Sequence, residues 1–269
     1  MYSTTESIVK VMRISRGIQK IAYITLLLTK AIKFMTPQKS PQNVFIACPT
    51  HDGRITVGTA QALYDLATKK YRTFIATNNV SLINWNCNQL WCKAMNMREE
   101  HGMKWFAMLH SDVIPEPYWL DKLIEIAEQY DIDMLSASVA IKDDSGDTST
   151  GVSNPANNHW NGRRISIKEM EPFTVLTSNF FKTPIMASPE DLPKLLVNTG
   201  CCIIRMDQPW SDKVIFRTDE VIRKINGKYE AFTDSEDWNF SRMVHDLGGK
   251  VGVTPQVKTK HVGGKQFSN

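Results

Sequence analysis

The stretch KWFAMLHSDVIPEPYWLDKLIEIAEQYDIDMLSASVAI, residues 104–141, contains the alternation on which the predicted fold depends. A short apolar run, KWFAML, is followed by PEPYWLDKLIEIAEQY, in which prolines precede a long helical pattern. A second apolar run, IDMLSASVAI, comes next. Strand, helix and strand in this order are typical of two parallel strands joined by a crossover helix.

The same alternation begins earlier in the chain, at Asn43. NVFIACP and RTFIAT predict two strands, and GTAQALYDLATKK and SLINWNCNQLWCKAMNM predict the helices that follow them. The whole pattern predicts an α/β fold with a mostly parallel sheet flanked by helices on both faces. Residues 142–193 are rich in turn residues and predict long loops, and KLLVNTGCCIIRM predicts a strand pair or one long strand around Gly200.

The composition is that of an ordinary globular protein with a full core. Of the 269 residues, 42% are hydrophobic and 9% are aromatic, which fits one large domain or one domain with an appendage. The five cysteines are odd in number and match no zinc or redox spacing. We therefore expect reduced, mostly buried cysteines in a cytoplasmic protein.

Positive charge is concentrated at the N-terminus. Residues 1–40 hold seven Lys or Arg and one acidic residue, whereas the remainder holds 25 basic and 27 acidic residues. A body that bound duplex DNA would be expected to carry a basic stripe of its own. The count of charges indicates no such stripe after residue 40.

Residues 5–36 contain no proline and place Ile and Leu at roughly helical spacing, which predicts a basic amphipathic helix. Because prolines in TPQKSPQ end that helix, we divide the chain into a helical arm with a linker, 1–41, and a main domain, 42–269. The arm either packs on the domain or a second subunit, or lies on an anionic membrane surface or a nucleic acid. Its longest uncharged run has nine residues, too short for a transmembrane helix, and no signal-peptide cleavage site is recognisable. We expect a cytoplasmic protein, free or peripheral at a membrane surface.

Polar clusters follow three of the predicted strands: PTHDGR, TNN and HSD. Because ligands of such sheets bind beyond the carboxyl ends of the strands, these clusters predict the site. Asp112 could hold a divalent cation or contact a ribose, whereas Pro115 and Pro117 make it a poor cap for the next helix. PTHDGR could contact a base or phosphate, or form an ordinary turn. Gly200 allows a close approach of ligand or backbone, or marks a β-bulge.

The stretch FTDSEDWNFSRMVHDLGGKVGVTPQVKTKHVGG, residues 232–264, places an acid pair and a single histidine on either side of a predicted helix and strand. Glu236 and Asp237 fall in the first turn of that helix, where acidic residues suit the helix dipole. A carboxylate at a helix N-terminus beside a pocket could also act as a general base.

Taken in order, these features resemble the GT-A fold of nucleotide-sugar-dependent glycosyltransferases. The matching elements are VFIACPTHDG, the Asp-x-Asp-like MLHSDVIPEP, NTG with a following arginine, EDW and KHVG, within residues 43–264. The combination is similar to glycosyltransferases encoded in phage and bacterial genomes. The resemblance implies a Rossmann-like GT-A domain that transfers a sugar from a nucleoside diphosphate sugar, with a UDP-sugar favoured, to an acceptor hydroxyl. It also implies Mn²⁺ or Mg²⁺ on the diphosphate, and we expect inversion of the anomeric centre.

The resemblance further implies roles for individual residues. Asp112 and His261 would hold the ion, together with His110, which replaces the first Asp of Asp-x-Asp. Asp237, or Glu236 beside it, would deprotonate the acceptor, and Trp238 would lie on the acceptor side. The residues expected to bind the nucleotide sugar are Pro49, Thr50, His51, Arg54, Asn78, Asn88, Ser111, Asp112, Asn198 and Gly200. Relatives often carry Arg-Asn at the position of Cys87 and Asn88. The arginine that would face the diphosphate is therefore absent from this position of the sequence.

The acceptor and two other functions are left open. A hydroxymethylated DNA base, a surface or lipid-linked glycan, and a protein are all compatible acceptors. A sugar nucleotidyltransferase has a related fold, but such enzymes usually carry a Gly-rich loop where CPTHDGR has one glycine. A catalytically inactive nucleotide-sugar-binding or scaffold protein would agree with His110 in place of Asp.

Overall fold

The fold is built around a seven-stranded sheet, in a computed structural model that describes residues 41–66, 70–153, 162–181, 193–263 and 266–268. The predicted N-terminal arm lies outside the described residues apart from Pro41, so its helix and its partner stay predictions. Within the described ranges, no helix has both the length and the apolar character needed to cross a membrane.

Strands alternate with helices through the first half of the chain, as the sequence predicts. The strands are β1 (Gln42–Thr50), β2 (Tyr71–Asn79), β3 (Met103–Leu109), β4 (Val113–Pro115), β5 (Met134–Ala137), β6 (Asp147–Val152), β7 (Arg163–Ser166), β8 (Leu176–Thr177), β9 (Leu195–Leu196), β10 (Cys201–Arg205), β11 (Asp219–Ile225), β12 (Lys228–Asp234), β13 (Val251–Thr254), β14 (Thr259–Val262) and β15 (Gln266–Ser268). The α-helices are α1 (Val57–Tyr64), α2 (Ile83–His101), α3 (Trp119–Tyr130), α4 (Ile167–Met170) and α5 (Glu236–Asp246), and 3₁₀ turns span Ser178–Phe181 and Ser211–Lys213.

The large sheet has the order β2-β1-β3-β10-β5-β13-β8. Strands β1, β2, β3, β5 and β13 run parallel to one another, whereas β10 lies antiparallel between β3 and β5, and β8 lies antiparallel at one edge. The carboxyl ends of the parallel strands therefore meet at one edge of the sheet, which we call the carboxyl edge.

Both faces of this sheet are covered by helices. In β1, Phe45 and Ala47 point into the core beneath α2 and α5, whereas Val44, Ile46 and Cys48 point into the core beneath α1 and α3. A strand buried on both faces reads as a continuous apolar run, and NVFIAC is such a run. The predicted fold class, α/β with a mostly parallel sheet flanked by helices, is confirmed.

The prediction of long loops over residues 142–193 is wrong for the part that the structure describes. That part contains β6, β7, α4 and β8, and β6 pairs with both β7 and β9 in a small antiparallel sheet. The β6 sequence, DTSTGV, has the polar composition of a turn, but the buried Thr148 hydroxyl donates to the Ile165 carbonyl at 2.7 Å. Pairing with distant strands thus overrides the local composition.

A buried asparagine fixes the geometry of two loops at the carboxyl edge. The Asn86 amide donates to the carbonyls of Thr50, Asn78 and Val80 at 2.8, 3.2 and 3.2 Å, and the residue is fully buried. The Thr50 hydroxyl donates to the Asn78 carbonyl at 2.9 Å. One side chain of α2 therefore holds the ends of β1 and β2 together.

We expect Asn86→Ala to lower the free energy of unfolding by roughly 1–3 kcal/mol, because the carbonyls of Thr50, Asn78 and Val80 each lose one donor. Urea unfolding measures this change. Asn96→Ala, on the exposed side of the same helix, is the control and should change stability by less than about 0.5 kcal/mol. Equal effects of the two substitutions would contradict the structural role of Asn86.

Candidate functional site

Asp112 and His261 are brought together by strand pairing at the carboxyl edge. Asp112 lies just past β3, and β14 pairs antiparallel with β4, which places His261 opposite Val113. The Val262 amide donates to the Asp112 carbonyl at 2.8 Å. The predicted meeting of the late histidine and this aspartate is therefore present, with His261 Nε2 at 3.6 Å from Asp112 Oδ2.

The orientation of the His261 ring is set by its other nitrogen. Nδ1 lies 2.8 Å from the Ala140 carbonyl oxygen, and a carbonyl can only accept, so Nδ1 carries a proton. Nε2 then faces Asp112 Oδ2: it can donate to that oxygen when it carries a proton, and it offers a lone pair to a cation when it does not. Metal-ligating histidines are commonly fixed in this way by a hydrogen bond from the second ring nitrogen.

A lysine that the sequence analysis missed also contacts this carboxylate. Lys142 Nζ lies 2.5 Å from Asp112 Oδ2. Burial alone would raise the pKa of Asp112, but the neighbouring His261 and Lys142 side chains outweigh it and hold the pKa below its usual range. Asp112 is therefore an ionised acceptor at neutral pH.

His110 does not complete a three-residue ligand set. Among the described residues, no three His, Cys, Asp or Glu side chains are arranged to hold a metal ion. Burial lowers the pKa of His110 to about 4, so its ring is neutral, and no described group bonds its buried Nε2. The structure thus brings Asp112 and His261 together, whereas the predicted part of His110 in a cation site stays a prediction.

The pair fits a divalent cation. Donor atoms 3.6 Å apart can both contact one ion at about 2.1 Å from each. A carboxylate and an imidazole suit Mn²⁺, and a carboxylate suits Mg²⁺. Such ions usually keep several positions for water or phosphate oxygens, so two protein ligands suffice where a phosphate is shared.

The acid pair has the opposite electrostatic environment. Burial and the neighbouring Glu236 raise the pKa of Asp237 to about 7, and burial raises the pKa of Glu236. Asp237 Oδ1 accepts from the Ser235 hydroxyl and, at 2.8 Å, from the Trp238 amide. Ser235 is the N-cap residue of α5. A carboxylate whose pKa lies near 7 is suited to accept a proton.

A chain of hydrogen bonds joins α5 to the loop before β10. The Ser241 hydroxyl contacts the Asp237 carbonyl at 2.9 Å and accepts from the Val197 amide at 3.1 Å. The next residue, Asn198, donates to the Ala137 carbonyl at 3.1 Å and accepts from the Gly200 amide at 3.0 Å. The side-chain nitrogen and oxygen of Asn198, which was predicted to bind the nucleotide sugar, are therefore both hydrogen-bonded to the backbone.

This loop also contacts the turn that carries Asp112. The His110 amide donates to the Gly200 carbonyl at 2.9 Å. An added Cβ at Gly200 would lie 3.3 Å from Asn198 Oδ1 and 3.4 Å from a Val113 methyl group, so a glycine fits this close approach best. The buried Thr199 hydroxyl has no partner among the described residues. The NTG loop thus lies between Asp112 and the acid pair.

Trp238 is packed against the small sheet. Its Nε1 donates to the Ser149 carbonyl at 2.9 Å. An added Cβ at Gly151 or Gly162 would lie 2.6 or 2.7 Å from the indole ring, so the two glycines make room for it. The ring therefore connects α5 with β6 and β7, and its place on the acceptor side stays a prediction.

The remaining predicted residues fall into two groups. Pro49, Thr50, His51, Arg54, Asn78 and Ser111 lie at or near the carboxyl ends of β1, β2 and β3. The Ser111 carbonyl accepts from the Thr56 amide at 2.9 Å, which ties the PTHDGR loop to the Asp112 turn. Asn88 is different, because the backbone of Phe216 occupies both ends of its amide at 2.7 and 2.9 Å.

Lys142 was detectable from the sequence. It directly follows the predicted strand IDMLSASVAI. Because ligands bind beyond the carboxyl ends of such strands, Lys142 is a candidate for the same reason as the three polar clusters. Ser241 and Asn86 had no such signal, because a polar residue within a helical pattern does not reveal a distant backbone partner.

Comparisons with known proteins give only weak likenesses. No protein-family model matches the chain, and no curated protein matches it significantly. A197 from STIV is similar in structure, with a TM-score of 0.43 and 11% identity over 82% of this chain and 85% of that one. S. aureus TarS 1–349 has a TM-score of 0.41 and 10% identity over 80% of this chain, which spans 58% of the TarS structure. At this level neither likeness carries an argument about function.

The Asp237 environment makes stability depend on pH. The native state keeps this proton up to about pH 7, whereas the unfolded chain loses it near 3.8. Between about pH 3.8 and pH 7 the unfolded state therefore binds fewer protons than the native state. The free energy of unfolding falls as the pH rises through this range, and this contribution is lost above about pH 7. Asp237→Asn keeps the Oδ1 acceptor and removes the titration. We expect the Tm of Asp237→Asn minus that of the wild type to increase between pH 5 and pH 8.5.

Differential scanning calorimetry at the two pH values measures this difference. For a chain of this size, about 3 °C corresponds to roughly 1 kcal/mol. Asp207→Asn, at an exposed position, is the control and should show no such trend. A pH-independent difference for Asp237→Asn would contradict the raised pKa.

Proposed function

We propose that this protein is a glycosyltransferase that moves a sugar from a nucleoside diphosphate sugar to an acceptor hydroxyl, assisted by Mn²⁺ or Mg²⁺. The observation that carries this proposal is the meeting of Asp112 and His261 at the carboxyl edge, joined by hydrogen bonds of the NTG loop to the acid pair. Asp112 is held ionised beside His261, whereas the pKa of Asp237 is raised to about 7. A reaction that needs both a cation site and a proton acceptor matches this arrangement.

The α/β architecture supports the same proposal. The carboxyl edge of the sheet, where ligands of such folds bind, carries the PTHDGR loop, the Asp112 turn and the NTG loop. The position of the late histidine beside Asp112 agrees with the GT-A resemblance of the sequence. The donor nucleoside would lie against Thr50, His51 and Arg54.

In the proposed mechanism, Asp112 and His261 would hold the divalent ion. The bound ion would neutralise the negative charge that develops on the departing nucleoside diphosphate. Asp237 accepts the proton of the acceptor hydroxyl, whose oxygen attacks the anomeric carbon while the bond from that carbon to the phosphate oxygen breaks. If Asp237 acts on the face opposite the diphosphate, the anomeric centre is inverted.

A donor screen tests the proposed activity. UDP-, GDP-, CDP- and dTDP-sugars are incubated with Mn²⁺ and with hydroxymethylated DNA, glycan, lipid-linked and peptide acceptors, and release of nucleoside diphosphate is measured. We expect release with one class of donor, and a UDP-sugar is favoured. Pyrophosphate formation from a nucleoside triphosphate would instead indicate a nucleotidyltransferase, and no turnover of any donor would contradict the proposal.

Two substitutions test the assignment of the residues. We expect Asp112→Asn and Asp237→Asn each to lower kcat/KM by about 100-fold or more, because one loses the anionic cation ligand and the other the proton acceptor. Asp207→Asn is the matched control and should keep wild-type turnover. Full activity of both site variants would rule out this site.

A further inference from the structure

Lys142 is placed by the same segment that positions His261. The Ala140 carbonyl accepts from His261 Nδ1, and Lys142, two residues later, places its ammonium 2.5 Å from Asp112 Oδ2. That oxygen is also the one that lies 3.6 Å from His261 Nε2. The ammonium and a divalent ion would therefore compete for one carboxylate oxygen.

The stem of Lys142 lies beside the C-terminal His-x-Gly segment. An added Cβ at Gly263 would lie 3.1 Å from Lys142 Cδ and 3.6 Å from its Cβ. The glycine two residues after His261 thus leaves room for the lysine stem. The ammonium is partly accessible, since the side chain is 40% exposed, so it can move while its stem stays in place.

We propose that Lys142 binds the donor diphosphate, and that its ammonium rests on Asp112 until a divalent ion takes that oxygen. This inference rests on the proposed glycosyltransferase function. Two cations cannot share one carboxylate oxygen without strong repulsion, so binding of the ion displaces the ammonium. With its stem held beside Gly263, the displaced ammonium stays near the ion and offers three donors to phosphate oxygens.

The balance of charge supports this assignment. A divalent ion on Asp112 leaves one net positive charge, because the neutral His261 ring contributes none. The diphosphate of a nucleotide sugar carries two negative charges, and Lys142 supplies the second positive charge that balances them. In the Asp-x-Asp-like element His110 takes the place of one carboxylate. The site therefore has one negative charge fewer than an Asp-x-Asp pair, and a single lysine is enough to complete the balance with the diphosphate.

Calorimetry on the full-length protein tests the proposal through two affinities. In the first titration Mn²⁺ is added without nucleotide, and Lys142→Met should bind it more tightly by roughly five-fold, because the competing ion pair is lost. In the second, the nucleoside diphosphate that the wild type binds best among UDP, GDP, CDP and dTDP is added at saturating Mn²⁺. Lys142→Met should bind it more weakly by roughly 10- to 100-fold.

Two variants serve as controls. Lys142→Arg keeps the positive charge and should stay near the wild type in both titrations. Lys70→Met removes a comparable surface ion pair, in which Lys70 Nζ lies 2.5 Å from Glu125, and should change neither affinity. A purely structural role of Lys142 would weaken both affinities together, so the opposite signs are specific to the proposal.

The outcomes separate this inference from the proposed function. If the wild type binds Mn²⁺ and a nucleoside diphosphate, but either affinity is unchanged in Lys142→Met, the role of Lys142 is overturned. If the wild type binds none of the four nucleoside diphosphates with Mn²⁺, both the proposed function and this role of Lys142 fail. The titration with Mn²⁺ alone then shows only whether the ammonium of Lys142 competes with the ion for Asp112.

Discussion

The candidate site depends on the pairing of β14 with β4. This short antiparallel contact, with His261 opposite Val113 and the Val262 amide on the Asp112 carbonyl, carries the end of the chain to the end of β3. The same contact brings Gly263 against the stem of Lys142. A few backbone hydrogen bonds thus assemble a carboxylate, an imidazole and an ammonium that are far apart in the sequence.

The two aspartates differ because of what surrounds each of them. Asp112 has an ammonium and an imidazole as neighbours, which favour its ionised form. Asp237 is half-buried beside another carboxyl group, and both the burial and the neighbour disfavour ionisation. The NTG loop lies between them and is bonded to both sides through Ser241 and His110. Carboxyl groups with opposite environments in one region are typical of sites that combine charge stabilisation with proton transfer.

The sequence predicted the elements of the sheet better than their directions. The buried runs in β1 and β3 and the periodic pattern of α3 identify these elements, since burial on two faces or on one helix face leaves a clear pattern. The antiparallel direction of β10 was not predictable, because CCIIR is apolar throughout and reads the same either way. The strands β6 and β7 were missed because distant pairing, rather than composition, makes them strands.

For the candidate site, the sequence selected Asp112, His261 and the acid pair but did not predict their surroundings. Whether a histidine faces a carboxylate depends on strand register, so the position of His261 beside Asp112 needed coordinates. The bonding of Asn88 to Phe216 and of Trp238 to Ser149 likewise depends on tertiary contacts between distant segments. Lys142 could have been selected from the sequence, because it directly follows a predicted strand, as the other polar clusters do. The turn-rich segment that it begins predicted only a loop.

The most direct test of the central claim, that the carboxyl edge at Asp112 and His261 binds a donor diphosphate through a cation, is anomalous diffraction. Crystals grown with Mn²⁺ and the preferred nucleoside diphosphate should show one strong anomalous peak in contact with Asp112 Oδ2 and His261 Nε2, with the diphosphate oxygens on the same ion. A nucleotide bound away from this edge, or a manganese peak that contacts neither residue, would contradict the account.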